Sequence, residues 1–343
     1  MPTCDIIIPV WNRQEDTRSC VESVERNTLF PYRLIMIDNA SGDETTAYLR
    51  ELAKRRGERV LLIRNEKNEG FIKAVNKGIS LSKAEFICIL NNDTLVTSGW
   101  LKALVNVISR NPAIGIVNPS SNTLGQHPPK GKTLEEHAGD IASGRGLFVE
   151  TGSAFGFCML ARRRLFDEIG LLDVAYGLGN FDDTDLSLRA KEKGYKTARA
   201  LASYVYHKEQ RSFNLQKGFK RDFSRNRRIF ESKWGRTKRV IVVLRNINTE
   251  SLDSLRSVLR EYAKEKSWVY IISPRFETIE FFEKHSNLSF YHFTRFFYAL
   301  SFLKILFKKK KPDIIYADNN RFRNLLAKFR AVHGAEIREI GAA

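Results

Sequence analysis

The chain has 343 residues, 43% of them apolar and 28% charged. Domains run to roughly 100–200 residues, so two are expected, and the composition supports packed cores and excludes wholesale disorder. The formal charge of +18 invites a nucleic-acid partner, but residues 1–206 carry 27 Lys/Arg against 25 Asp/Glu, residues 207–235 carry 9 against 3, and residues 236–343 carry 21 against 11. A chain that wraps phosphates along its length is not partitioned in this way, so no nucleic-acid role is expected. No run approaches the ~18 apolar residues of a membrane span. The start, MPTCDIIIPV, lacks the basic region and cleavage site of a secretory signal. Cys4, Cys20, Cys88 and Cys158 show neither zinc spacing nor a disulfide framework, and three of them sit at core-like positions. A cytoplasmic location is expected.

Residues 5–10 (DIIIPV) predict a buried strand, followed by helix over 14–27. Leu34–Ile37 predicts a second strand that ends in the turn-rich Asp38-Asn39-Ala40-Ser41-Gly42-Asp43, with helix from about Asp43 to Arg56. Val60–Ile63 is the third strand, Asn68-Glu69-Gly70 opens a helix to about Ser80, and Phe86–Leu90 is the fourth strand, ending at Asn91-Asn92-Asp93. Strands alternating with helices at this spacing imply a mostly parallel sheet with helices on both faces. Ligands of such sheets bind outside the carboxyl ends of the strands. Three polar clusters fall there, after Val10, after Ile37 and after Leu90. Acidic and amide residues are ordinary turn formers, but three clusters at three strand ends point to a site. No glycine-rich dinucleotide fingerprint follows the first strand, where Pro9-Val10-Trp11-Asn12-Arg13 stands, and there is no phosphate-binding lysine loop.

Five strings in order, the strand with PVWNR, IDNASGDET, NEKNEGFIKAVNKG, ICILNNDTLVTSGWL and GLGNFDDTDLSLRAKEKGYK, resemble family 2 glycosyltransferases of the GT-A fold over about residues 4–235. The likeness is greatest to rhamnosyltransferase-like and O-antigen-type members. It implies a nucleotide-sugar donor, a divalent metal (Mn or Mg), inversion at the anomeric carbon, and a glycan or lipid-linked glycan acceptor in cell-surface polysaccharide synthesis. By that resemblance Pro9, Val10 and Asn12 line the base and ribose, and Asp38 bonds the nucleobase. Asn65 and Asn76 lie near the diphosphate or brace loops and a helix. Asn91-Asn92-Asp93 occupies the place of the family's acidic motif. Asp93 is then the metal ligand, because a hard divalent cation bridging a diphosphate takes carboxylate oxygen, and Asn92 sits nearer the ribose or a metal-bound water.

Asp182-Asp183-Thr184-Asp185 precedes a helix, where acids also serve as caps and favour the helix dipole. The upstream Gly177-Leu178-Gly179-Asn180 lets backbone approach a ligand. The resemblance aligns the family's Glu-Asp pair on Asp182-Asp183 and so makes Asp183 the general base; the first member is Asp where the family has Glu. Asp182, Asp185 and Gly156 are expected on the acceptor side or supporting it. A lone His is usually structural, but neutral imidazole is a common metal ligand. The resemblance implies that His207 completes the metal or diphosphate site with Ser212, aided by Arg211 or Lys208.

Thr151–Leu160 reads as one strand leading into a basic helix start at Arg162-Arg163-Arg164, and residues 119–150 as an irregular insertion facing the site. Asn226–Gly235 resembles the family's terminal helix, which sets domains at 1–236 and 237–343. The latter alternates strands at 240–244, 268–272, 288–291 and 313–317 with helices, a smaller Rossmann-like α/β unit that weakly resembles the amino-terminal half of a GT-B family 4 glycosyltransferase. Phe293–Lys311 is apolar and basic, so a core helix with a solvated lysine end stands against peripheral contact with the inner face of the plasma membrane. The competing functional reading is a catalytically inactive nucleotide- or glycan-binding subunit.

Overall fold

Continuous apolar runs such as Ile6-Ile7-Ile8 suit strands covered on both faces. In the computed structural model they form the parallel strands β1 (Cys4–Val10), β2 (Tyr32–Asp38), β3 (Val60–Arg64) and β4 (Phe86–Leu90), in the spatial order β3-β2-β1-β4. The structure describes residues 4–208, 219–245, 267–274 and 287–340, together with Leu255, Arg256, Val258, Leu259 and Tyr262. Side chains alternate across the sheet. Ile6, Ile8, Leu34 and Met36 enter one apolar core, and Ile7, Ile35, Ile37 and Ile89 the other. The helices α1 (Gln14–Asn27), α2 (Asp43–Arg56) and α3 (Phe71–Leu81) connect these strands.

The antiparallel pairs of this mostly parallel sheet lie in its far half. β5 (Thr94–Val96) follows β4 after three residues, too few for the crossover that a parallel neighbour needs, and pairs antiparallel to β9 (Lys196–His207). After α4 (Trp100–Arg110) come β6 (Ile114–Ser120) and, beyond a longer excursion, β8 (Cys158–Arg162). β8 runs antiparallel to β4 and β6, while β6 and β9 are parallel. Residues 119–150 are less irregular than expected. They hold α5 (Leu134–Ile141), started by a capping box of Thr133 and Glu136, and lead into β7 (Phe148–Thr151). The single strand expected over 151–160 is interrupted, since β7 ends at Thr151 and β8 begins at Cys158. α6 (Arg163–Ile169), α7 (Asp182–Glu192) and α8 (Phe219–Trp234) follow.

The chain divides into two compact units, Met1–Val149 with Ser153–Trp234, and Gly235–Ala343 with Glu150–Gly152. Within the second, β10 (Arg239–Val243), β11 (Trp268–Ser273), β12 (Leu288–His292), β13 (Ile314–Ala317) and β14 (Glu336–Glu339) are all parallel, in the order β12-β11-β10-β13-β14. The helices α9 (Phe297–Leu306), α10 (Asn320–Lys328) and α11 (Arg330–His333) belong to it.

Candidate active site

The first two strand tips are tied together by short polar side chains. Asn12 and Arg13 turn with positive φ after β1. The Asn12 amide donates to Ser41 Oγ at 2.9 Å, and the Gly42 amide donates to Asn12 Oδ1 at 2.8 Å. Asp38, only 1% exposed, accepts from the Ser41 amide at 2.9 Å and Thr46 Oγ1 at 3.2 Å, and pairs with Arg64. Asp38, expected to meet a nucleobase, anchors the loop after β2 from within. Val10 is buried and its carbonyl accepts from the Asn39 amide, while Pro9 is half-buried. Beside these loops an open cleft of about 560 Å³ runs between Asn12–Asp16 and Gly42–Thr45.

Asn65 and Asn76 are braces. Asn65 donates to Asn39 Oδ1 at 2.9 Å and accepts from Lys77 at 2.6 Å. Asn76 bonds both backbone groups of Leu172, at 2.8 and 3.0 Å. Of the two roles open to them, loop and helix bracing is the one their partners fill.

At the third tip, Asn92 Nδ2 donates to Thr17 Oγ1 at 2.9 Å, and Asn91 Oδ1 is a buried acceptor with no hydrogen-bond partner. Asp93 Oδ1 lies 3.1 Å from His207 Nε2, with both side chains 15% exposed. The β5–β9 ladder sets this pairing by placing Thr94 opposite His207. Three further groups fix the imidazole. Thr123 Oγ1 is 3.2 Å from Nδ1, Asn122 bonds the His207 backbone in both directions, and the Phe157 ring stacks at 5.3 Å. Lys208 donates to Asp16 Oδ1 at 2.9 Å, and its amide bonds the Asp93 carbonyl. The expected helpers Ser212 and Arg211 lie outside the described residues.

The aspartates of the first turn of α7 have distinct surroundings. Asn226 of α8 donates to the carbonyls of Tyr176 and Gly179, shaping the glycine loop, after which Asn180 and Phe181 take positive φ. Asp182 is 5% exposed, and burial, reinforced by the neighbouring Asp183 charge, pushes its carboxyl up to about 7. Asp183 is half-buried, accepts from the Gly156 amide at 3.0 Å and the Thr184 amide at 2.7 Å, and is also raised by burial. Asp185 is fully buried. It receives Arg189 at 2.8 Å, Lys233 at 2.7 Å and Trp234 Nε1 at 2.8 Å. Burial alone would raise its carboxyl, but these donors outweigh it and hold the group below its ordinary range. These bonds tie α7 to α8, the supporting one of the two places expected for Asp185.

One loop joins the two chemistries. Gly156 bonds Asp183, its neighbour Phe157 stacks on His207, and the Phe157 carbonyl receives the Asn91 amide. Consecutive Cα atoms are 3.8 Å apart, so the base candidate and the Asp93–His207 pair flank one short segment. Sequence reasoning missed what holds that segment. Asn118 bonds Phe155 at both its amide and carbonyl and the Cys158 carbonyl, and Ser187 Oγ accepts from Ala154. Asp93 and His207 bring a carboxylate oxygen and an imidazole nitrogen within 3.1 Å, two donors of the kind a divalent cation takes, with the other nitrogen held by Thr123; among the described residues no third His, Cys, Asp or Glu joins them.

Residues 5–170 match the family model described as glycosyl transferase family 2. The amino-terminal unit is therefore similar to family 2 glycosyltransferases over these residues, on a mixed α/β fold. Among curated relatives, the uncharacterized protein y4gI of Sinorhizobium fredii is 24% identical over 62% of this chain and 25% of its own length. The uncharacterized glycosyltransferase YwdF of Bacillus subtilis is 28% identical over 59% of this chain and 72% of its own. The chain thus spans about a quarter of the rhizobial relative it matches. A crystal structure of GalNAc-T7 with UDP, GalNAc and Mn2+ superposes with a TM-score of 0.49 and 19% identity, over 60% of this chain and 44% of that one. The family match ends before Asp182, Asp183 and His207, whose placement comes from the geometry above.

Proposed function

We propose that the amino-terminal unit is an inverting, metal-dependent glycosyltransferase that moves a sugar from a nucleotide-diphospho-sugar to an acceptor hydroxyl of a glycan or lipid-linked glycan. The observation that carries this reading is the Gly156-Phe157 segment, which supports Asp183 with one residue and His207 with the next. The Asn12–Asp16 and Gly42–Thr45 cleft accommodates the nucleoside, with Asp38 and Ser41 holding its wall. Asp93 and His207 would hold the divalent ion, which when bound offsets the diphosphate's charge as it departs.

Asp183 does the proton work. As the acceptor oxygen forms its bond to the anomeric carbon, the bond from that carbon to the diphosphate oxygen breaks on the opposite face. The hydroxyl proton passes to the Asp183 carboxylate, and the electron pair leaves with the nucleoside diphosphate. The Gly156 and Thr184 amides orient that carboxylate.

Two substitutions separate the roles. Asp183→Asn should leave donor affinity nearly intact and lower turnover by ~10²–10⁴-fold, the range of a lost general base. Near-normal turnover in that variant would exclude Asp183 from this role. Asp93→Ala should weaken donor binding only when manganese is present, which calorimetry with and without the metal measures; equal weakening in both conditions argues against a metal ligand at this position.

A further inference from the structure

The second unit carries an exposed apolar surface ringed by cations. Phe296, Leu300, Leu303 and Phe307 recur at spacings of four, three and four, the repeat that lines one helix face, and all are exposed, Phe296 to 70% and Phe307 to 81%. The opposite face of α9 is the one that packs, through Phe297, Ser301 and Ile305. Leu325, Phe329 and Val332 repeat the pattern on the neighbouring α10–α11 segment and are also exposed. Phe302 and Phe329 meet edge to face at 5.1 Å, so the two stripes adjoin.

The segments that carry this surface are basic, with Asp318 and Glu339 the acids that meet them, at Tyr298 and Arg323. Residues 293–312 and 319–335 together contain ten Lys/Arg and no Asp/Glu. Lys304 and Lys308 lie over the Tyr291 and Tyr270 rings at 3.6 and 3.4 Å. Lys309 and Lys310 are exposed at the end of α9. Burial, and after it the charges of Lys304 and Arg239, keep Lys308 below the usual lysine range.

We propose that the α9 and α10–α11 face docks on an anionic lipid surface, with its aromatic and leucine side chains at the acyl boundary and its lysines among the headgroups. α9 has ten residues, far too few to span a bilayer, and no described helix is long and apolar enough to do so, so the face lies in the interfacial plane. A second copy of the chain is a poor occupant, since apposing two such faces brings cations against cations. The inference is independent of the reaction assigned to the first unit.

The test is flotation of the full chain with vesicles of phosphatidylcholine alone and of phosphatidylcholine mixed with phosphatidylglycerol. Binding is expected to the anionic vesicles at low salt and to fall as salt rises. Lys309→Gln with Lys310→Gln should lower partitioning by about 20–30-fold, at about fivefold per lysine near an anionic surface. Leu303→Ser with Phe307→Ser, both at exposed positions, should reduce it by at least ~10-fold with circular dichroism unchanged. No flotation at low salt overturns the proposal. So does flotation that the Leu303/Phe307 pair leaves unaltered, or a dimer in solution that Phe307→Ser splits into monomers.

Discussion

Asp182 and Asp183 are adjacent acids, and burial raises both carboxyls. Two such groups titrate as a pair, and holding one proton between them keeps the base competent near neutrality while its neighbour stays uncharged. Asp182→Asn keeps that neighbour uncharged at every pH, so the acid limb of the kcat/KM profile, which Asp183 sets, is expected to stay in place. The same variant carries a stability signature. The Asp182 carboxyl rises from 3.8 to about 7 on folding, so its contribution is fully present below pH 3.8 and is lost as pH climbs through 7. Asparagine keeps the shape without the charge, so the variant's melting temperature should decline less between those pH values than the parent's. Parallel melting curves against pH would show that the Asp182 carboxyl is not raised on folding, and a displaced acid limb would show that its charge acts on Asp183.

At the scale of elements, the core packing leaves little slack where α3 crosses β1. A Cβ added at Gly78 would fall on Ile7 Cγ2, and a β-branched side chain in a strand has few ways to yield. Gly78→Ala should therefore destabilise by about 1–2 kcal/mol net, overpacking exceeding the ~1 kcal/mol that alanine returns in helix propensity; urea titration reads the difference, and a stabilised variant would contradict this packing. The strands of this region were legible because burial on both faces demands unbroken apolar runs, and their polar tips marked the cleft. β5 and β14 were not: one is three residues long, and the other, Glu-Ile-Arg-Glu, carries no apolar run. α5 hid in a stretch rich in Gly, Pro and His, although Thr133 and Glu136 signalled its start. The supports of the site left no local trace at all. Asn118 acts on a loop 37 residues away and Asn122 on His207 at a separation of 85, and bonds of that range have no periodicity to read. Asn65, Asn76 and Asp185 show the reverse: residue types that suit a ligand are fully engaged in holding the frame.

At the scale of the molecule, each compact unit closes its own cores. Two clusters flank the large sheet and two flank the five-stranded one, and each is built from residues of a single unit. Cooperativity follows contiguous packing, so the expectation is two calorimetric transitions, and two substitutions assign them. Asp185→Asn weakens the contacts to Arg189 and Lys233 and should cost the first unit roughly 2–4 kcal/mol, below the 3–5 of a fully buried ion pair because Lys233 is more than a third exposed. Ile241→Ala opens a cavity beside Val243 and Ile315 in the second and should cost about 2–5 kcal/mol. Each variant should lower one endotherm and leave the other in place, with nucleotide-sugar binding surviving Ile241→Ala. If both substitutions displace a single common endotherm, the two cores are one cooperative structure and the independence of the units is wrong.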